Sequence, residues 1–128
     1  MNFQIHLTSD VPIYQQLGQQ IRAGVARGRL SHGQQLPSVR EMSRLLVVNP
    51  NTIAKAYTEL EREGVLHTRK GVGVFIAAPS TELTKTARKK RLQEKVDDLL
   101  TEAVYLNYPL GELKDLIETR AKEYVWNV

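Results

Sequence analysis

The stretch from Ser38 to Gly64 constrains the fold more than any other part of the chain. Ser38-Val39-Arg40-Glu41 reads as a capping box, with the serine hydroxyl accepting from the Glu41 N–H and the glutamate reaching back. Val39, Met42 and Leu46 follow at helical spacing. Asn49-Pro50-Asn51 then breaks the chain. Asn49 can cap a new helix, and Pro50 suits its first position, where a missing N–H costs nothing. Ile53, Ala56, Tyr57 and Leu60 form the inner stripe of that helix, and Gly64 ends it. Two capped helices joined by a tight turn at Val48 to Asn51 make a helix-turn-helix pattern.

The flanks complete the pattern. Residues 1–8 read as an extended arm. Ile13, Leu17, Ile21 and Val25 line one face of a first helix that starts near Pro12 and stops at Gly28. Residues 29–37 are too short and broken for a helix. After Gly64 the period changes. Val65-Leu66-His67-Thr68-Arg69 and Val74-Phe75-Ile76-Ala77 are β-prone, and Lys70-Gly71-Val72-Gly73 between them supplies a hairpin loop. Three short helices and a two-stranded hairpin predict a winged helix-turn-helix over residues 1–78. Pro79-Ser80-Thr81 reads as a hinge or helix start. Residues 79–128 read as a two-helix segment: a long helix with Leu92, Val96, Leu99, Leu100, Ala103 and Leu106 on one side, an interruption at Asn107-Tyr108-Pro109, and a final helix marked by Leu110, Leu113, Ile117, Ala121 and Tyr124. The expected class is mostly α with a small β wing.

Charge is distributed unevenly. The 128-residue chain carries a net +4, and all of the excess lies in residues 1–78, with nine basic and five acidic residues against nine and nine in the remainder. A basic domain favours polyanions such as nucleic acid. The chain has no cysteine, which excludes disulfides, thiolate metal sites and a cysteine nucleophile. Gly71 to Ala78, an uncharged and mostly apolar stretch, is far short of the ~20 residues that span a bilayer. The opening Met-Asn-Phe-Gln-Ile-His lacks the basic lead of a secretory signal. A cytoplasmic protein without membrane contact is expected.

In a helix-turn-helix the second helix enters the major groove with its N-terminal residues leading. Asn51, Thr52, Lys55 and Thr58 lie away from the core stripe of that helix, and its outer face has no acid before Glu59. Asparagine suits adenine edges, threonine several partners, and lysine guanine or phosphate. Arg40 stands at the start of the preceding helix, where a guanidinium can pair with phosphate or guanine. Arg69, Lys70 and Gly71 place two cations beside a slim wing tip, suited to a phosphate ridge or minor groove.

These residues lie in words that resemble the DNA-binding domain of the GntR family of bacterial transcription regulators. The words are Pro12-Ile13-Tyr14-Gln15-Gln16, Gly33-Gln34-Gln35-Leu36-Pro37-Ser38-Val39-Arg40-Glu41, Val48-Asn49-Pro50-Asn51-Thr52-Ile53-Ala54-Lys55-Ala56-Tyr57, Glu59-Leu60-Glu61, Glu63-Gly64 and Gly71-Val72-Gly73-Val74-Phe75. The short helical tail resembles the YtrA-type subgroup, whose members are similar in being homodimeric repressors, often of nearby transporter operons. The resemblance implicates Arg40, Asn49 to Thr52, and Lys70-Gly71 in DNA contact. Many relatives carry arginine where Pro50 stands and a basic residue where Ala54 stands, so those contacts are absent here. Val74 stands where threonine is usual.

His6, His32 and His67 share no metal spacing, and no dinucleotide loop or nucleophile elbow is present, so neither a cofactor nor an enzyme is expected. Trp126 reads as a packing residue. Arg88-Lys89-Lys90-Arg91 reads first as a solvated face with i,i+4 pairing, and second as an extra phosphate contact. The apolar stripes of the tail, with Leu92, Val96, Leu99, Leu100, Ala103, Leu106, Leu113 and Ile117, suit pairing with a second copy, whose two-fold symmetry would match a palindromic operator. The expected partners are double-stranded DNA and a second copy of the chain. A small-molecule effector stays open. The competing role for the same module is an architectural or replication-associated protein without a regulated promoter.

Overall fold

A computed structural model describes residues 2–78 and 84–126. Pro79-Ser80-Thr81, read above as a hinge, lies outside the described residues. The chain divides into two compact units, Met1–Ser80 and Thr81–Val128. The first contains α1 (Ile13–Ala26), β1 (Gln35–Leu36), α2 (Val39–Leu46), α3 (Pro50–Arg62), β2 (Leu66–Arg69) and β3 (Gly73–Ile76). The second contains α4 (Lys85–Tyr105) and α5 (Leu110–Ala121).

The core of the first unit gathers the stripes read from the sequence. Leu17 and Ile21 of α1, Met42 of α2, and Ile53, Ala56, Tyr57 and Leu60 of α3 are all buried, together with Leu66 and Ile76 of the sheet. The Tyr57 hydroxyl donates to the Pro37 carbonyl at 2.7 Å. Burial, and then the nearby Glu41 charge, push its pKa upward, so it stays a donor.

The sheet corrects one expectation. It has three strands in the order β1-β3-β2, not two, and both neighbours run antiparallel to β3. Gln35 pairs with Phe75 and Leu36 with Val74. The added strand is only two residues long, too short to show a period in sequence. Its cause is burial: Leu36 is 2% exposed, and pairing satisfies the edge of β3 while that side chain enters the core. The N-terminal arm is also tied down. The Gln16 amide accepts from the His6 N–H at 2.8 Å and donates to the carbonyls of His6 and Val11. Gln20 exchanges both bonds with the backbone of Gln4. Side chains one helical turn apart thus pair with alternate residues of an extended segment, while Phe3 and Ile5 pack on the core.

The capping box forms as expected: the Ser38 Oγ accepts from the Glu41 N–H, and the Glu41 carboxylate accepts from the Ser38 N–H, each at 3.1 Å. The Ser38 N–H first, and then the Ser38 hydroxyl, hold the Glu41 carboxyl below its ordinary pKa, with a smaller contribution from the Arg44 charge. Four helices end alike, with an N–H bonded five residues back: Arg29 to Gly24, Val48 to Ser43, Val65 to Leu60 and Tyr108 to Ala103. The left-handed residue in each is Gly28, Val47, Gly64 and Asn107. Val47, at φ 55, is the exception in kind, because a β-branched residue is strained there. The Ser43 hydroxyl braces the same turn by donating to the Val48 carbonyl.

In the second unit, α4 is capped by the Thr84 hydroxyl, and Asn107 ends it as the sequence suggested. Its apolar stripes are mostly uncovered: Leu92 is 65% exposed, Val96 50%, Leu106 69% and Ile117 48%. Ala103 and Leu113 of the same stripes are buried within this unit. No helix among the described residues is long and apolar enough to cross a membrane.

Two stability outcomes follow from the caps. Val47→Gly should raise the unfolding free energy of the first unit by about 1 kcal/mol, because relief of left-handed strain exceeds the extra chain entropy of glycine; urea unfolding of the full chain reads it, and unchanged or lower stability removes the strain argument. Glu41 has a lowered folded-state pKa, so its contribution is complete above the unfolded value of 4.5 and is lost as the pH falls through the folded one. The stability gap between the parent and Glu41→Ala should therefore narrow from pH 7 to pH 3, and a gap constant with pH would refute the ionic share of the cap.

Candidate nucleic-acid interface

The geometry of α3 decides which of its residues are offered to solvent. With Ile53, Ala56, Tyr57 and Leu60 committed to the core, Asn51, Lys55 and Thr58 are exposed and Thr52 is half-buried at the helix start. Asn49 occupies the N-cap, where its Oδ1 accepts from the Asn51 N–H at 2.8 Å, and Pro50 takes the first helical position. The cap consumes the carbonyl end of the Asn49 side chain and leaves its NH2 group as a donor.

Lys55 does not extend freely into solvent. Its Nζ lies 4.1 Å from the centroid of the Tyr14 ring, a cation–π contact joining the start of α1 to the start of α3. Pro12, Ile13, Tyr14, Asn51, Thr52 and Lys55 line a shallow concavity of about 370 Å³ there. Sequence reasoning named Tyr14 only within a family word and gave it no role of its own. Its signal was a lone aromatic off the Leu17–Ile21 stripe, which acquires a role only once α1 and α3 are seen to cross.

Charge along α3 is polarised. Its first two turns hold Lys55 and no acid. Its last turns hold Glu59, which pairs with Arg62 at 3.0 Å, and just beyond the helix Glu63 meets Arg22 at 3.5 Å. Arg40 is exposed at the second position of α2, beside the capping box. The Tyr57–Pro37 bond fixes that end of α2 against the second turn of α3.

The wing residues form a separate group. Arg69, Lys70 and Gly71 are all exposed. The Arg69 guanidinium carbon lies 5.0 Å from the Phe75 centroid, and Phe75 in turn stacks on His67 at 5.7 Å. The Val72 N–H closes the tip on the Arg69 carbonyl. Gly73 has φ +150, and a Cβ there would collide with the Gln35 amide, whose Nε2 donates to the Val72 carbonyl. The third strand therefore steadies the wing base through Gln35, a link invisible without β1. The Thr68 hydroxyl bonds Glu61 at 3.2 Å and ties the wing to α3. His67 serves as a stacking partner, and among the described residues no His, Asp or Glu cluster could hold a metal.

Comparison with known proteins agrees with this geometry. The family model for bacterial regulatory proteins of the gntR family matches residues 13–76, from the first residue of α1 to the last of β3. The HTH-type transcriptional repressor YtrA of Bacillus subtilis is 36% identical over 115 residues, which cover 90% of this chain and 88% of that protein. A Listeria monocytogenes structure described as a transcriptional antiterminator superposes with a TM-score of 0.82 at 34% identity, covering 100% of this chain and 96% of the other. AraR(DBD) in complex with operator ORE1 is 31% identical with a TM-score of 0.50, and covers 59% of this chain and 94% of its own. The matched relatives are transcription regulators, not enzymes. A family model spanning half the chain, and a relative similar along nine-tenths of it, establish that this chain belongs to the GntR family of DNA-binding transcription regulators.

Proposed function

We propose that the chain acts as a homodimeric repressor on a palindromic operator, read by the first turns of α3 and gripped by α2 and the wing. The observation that carries this reading is the acid-free start of α3, where Asn51 and Lys55 face out with the half-buried Thr52 beside them, while the opposite face is fixed in the core. Entering a major groove N-terminus first, Asn51 is suited to an adenine edge, Thr52 to a base or phosphate, and Lys55 to guanine or phosphate. The Asn49 amide and Arg40 reach backbone oxygens on either side. Arg69 and Lys70, beside the slender Gly71, follow a phosphate ridge or the minor groove. Lys55 on Tyr14 and Arg69 on Phe75 are held before DNA arrives, which lowers the entropy lost on binding.

The dimer reading rests on the tail. Leu99, Leu116, Ile117, Tyr124 and Trp126 line an apolar concavity of about 360 Å³, and Leu92, Val96, Leu100 and Leu106 are left uncovered along α4. Apolar area of this extent on both helices is costly in water. A second copy covers it by presenting the same surface, and a two-fold pair matches two half-sites. Repression follows sterically when a bound dimer excludes polymerase, and the likeness to the transcriptional repressor YtrA supports repression over activation. The resemblance to the YtrA-type subgroup points further to a neighbouring transporter operon as the target, in the cytoplasm. Selection of bound sequences from random duplex DNA tests the whole reading. A palindromic motif is expected, and recovery of sequences without any motif favours an architectural role and defeats the proposal.

Three variants test its parts. Asn51→Ala and Thr52→Ala should each lower operator affinity by about 1–3 kcal/mol while leaving random-duplex binding nearly unchanged; an unaltered ratio of the two affinities would remove α3 as the reading helix. Changing Leu99 and Leu100 together to Glu should give a folded monomer by sedimentation, with operator affinity reduced by ~10²–10⁴-fold through loss of tethering. A folded variant that stays dimeric places the interface elsewhere.

A further inference from the structure

The formal neutrality of residues 79–128 hides a sharp segregation. Residues 85–95 contain six cations, Lys85, Arg88, Lys89, Lys90, Arg91 and Lys95, against the single acid Glu94. From residue 97 onward the balance reverses, with three cations and seven acids. All six cations lie in the first half of α4 and are exposed.

Helix stability does not account for this arrangement. The N-terminal end of a helix carries the positive pole of its dipole and favours acids, yet the first turn of α4 has none. Lys85 and Lys89 are four residues apart, and Arg88 and Arg91 three apart, so like charges share a face and repel. The i,i+4 pairing read from the sequence does not form. Among the described residues none of the six is in an ion pair; the salt bridges there are Arg22–Glu63, Arg62–Glu59 and Arg120–Glu123. Lys90 does precede Glu94 by four residues, but that is the weaker orientation of such a pair. The segment therefore lowers the stability of its own helix, and an external polyanion would relieve the repulsion.

We infer that the basic half of α4 is a second DNA contact, sequence-independent, made with phosphates flanking the operator half-site. The inference rests on the operator-binding reading above. Two observations select duplex DNA as the polyanion. The segment begins nine residues after β3 ends, so no more than about 30 Å of chain joins its first residue to a DNA-binding unit. Its eleven residues rise ~16 Å along the helix, over which a duplex presents roughly ten phosphate charges. Contacts of this kind add affinity and salt dependence without reading bases.

The test is a variant with Arg88, Lys89, Lys90 and Arg91 all changed to Gln, which keeps length and helix propensity. On a selected operator placed inside a 40-base-pair duplex, the log–log salt slope should shallow by about 2–4 units and affinity should fall at least about tenfold near 0.1 M salt. On a duplex trimmed to the operator the difference should shrink, and the ratio of operator to random binding at equal length should stay as in the parent. Helical content should be equal or higher, which separates the effect from unfolding. An unchanged slope on the long duplex overturns the inference. So does a variant that dissociates to monomer, which would assign the cations to the partner's acidic half, or a parent that prefers phosphatidylserine vesicles to duplex. If the parent fails to discriminate operator from random DNA, the operator reading is lost, and the slope difference on random duplex still decides the flanking contact.

Discussion

Ile53, Ala56, Tyr57 and Leu60 bury one face of α3 against α1, α2 and β2, and this burial sets what the opposite face can do. The fully buried Ile53 and Leu60 side chains contribute about 1.5–3 kcal/mol each, so the orientation of α3 is strongly held. Rotating the helix by one residue, 100°, would expose part of that stripe and bring Lys55 or Glu59 toward the core, where an unpaired charge is prohibitive. The Tyr57–Pro37 hydrogen bond adds a directional constraint that apolar packing alone lacks. Specificity in DNA reading starts from this constraint, since a base edge distinguishes partners only when the side chain arrives at one angle.

Local chemistry then fixes where each element begins and ends. The Ser38–Glu41 box and the Asn49-Pro50 start place two helix N-termini, and the left-handed residues Val47 and Gly64 close α2 and α3. The turn between α2 and α3 is the point where economy gives way: Val47 sits in strain, while Val48 beside it is buried and Ser43 grips the Val48 carbonyl. A buried Val48 and a braced carbonyl over-determine the turn, which is how a strained backbone persists.

Most of this was legible because it is written in short-range rules. Stripe positions, the capping box, Gly28, Gly64 and Asn107 each follow from residues within one or two helical turns. What escaped the sequence depends on segments distant along the chain. β1 exists because Leu36 meets the core beside Val74, and its two residues carry no period. Tyr14 and Lys55 are forty-one positions apart and meet only because α1 crosses α3. Gln16 and Gln20 look like ordinary polar helix residues until the arm returns to them. In the tail the stripes were readable but their burial was not: Ala103 and Leu113 lie inside, and the others remain uncovered.

The two helices richest in functional candidates share an electrostatic layout. In α3 the lone cation of the first turns precedes Glu59 and Glu61; in α4 six cations precede Asp97, Asp98 and Glu102. In α4 this puts positive charge at the positive pole of the helix dipole and negative charge toward the negative pole, the reverse of what stabilises an isolated helix, whereas in α3 Lys55 lies beyond the first turn and Arg62 in the last turn is favourable. For α3 the cost is small, because tertiary burial holds the helix regardless. α4 lacks that support, since Ala103 is its only buried residue among those described. A helix so arranged gains most from partners: apolar surface to cover Leu92 through Leu106, and anions to neutralise its first half. Any partner that covers this apolar surface or neutralises these cations therefore stabilises the folded tail by mass action.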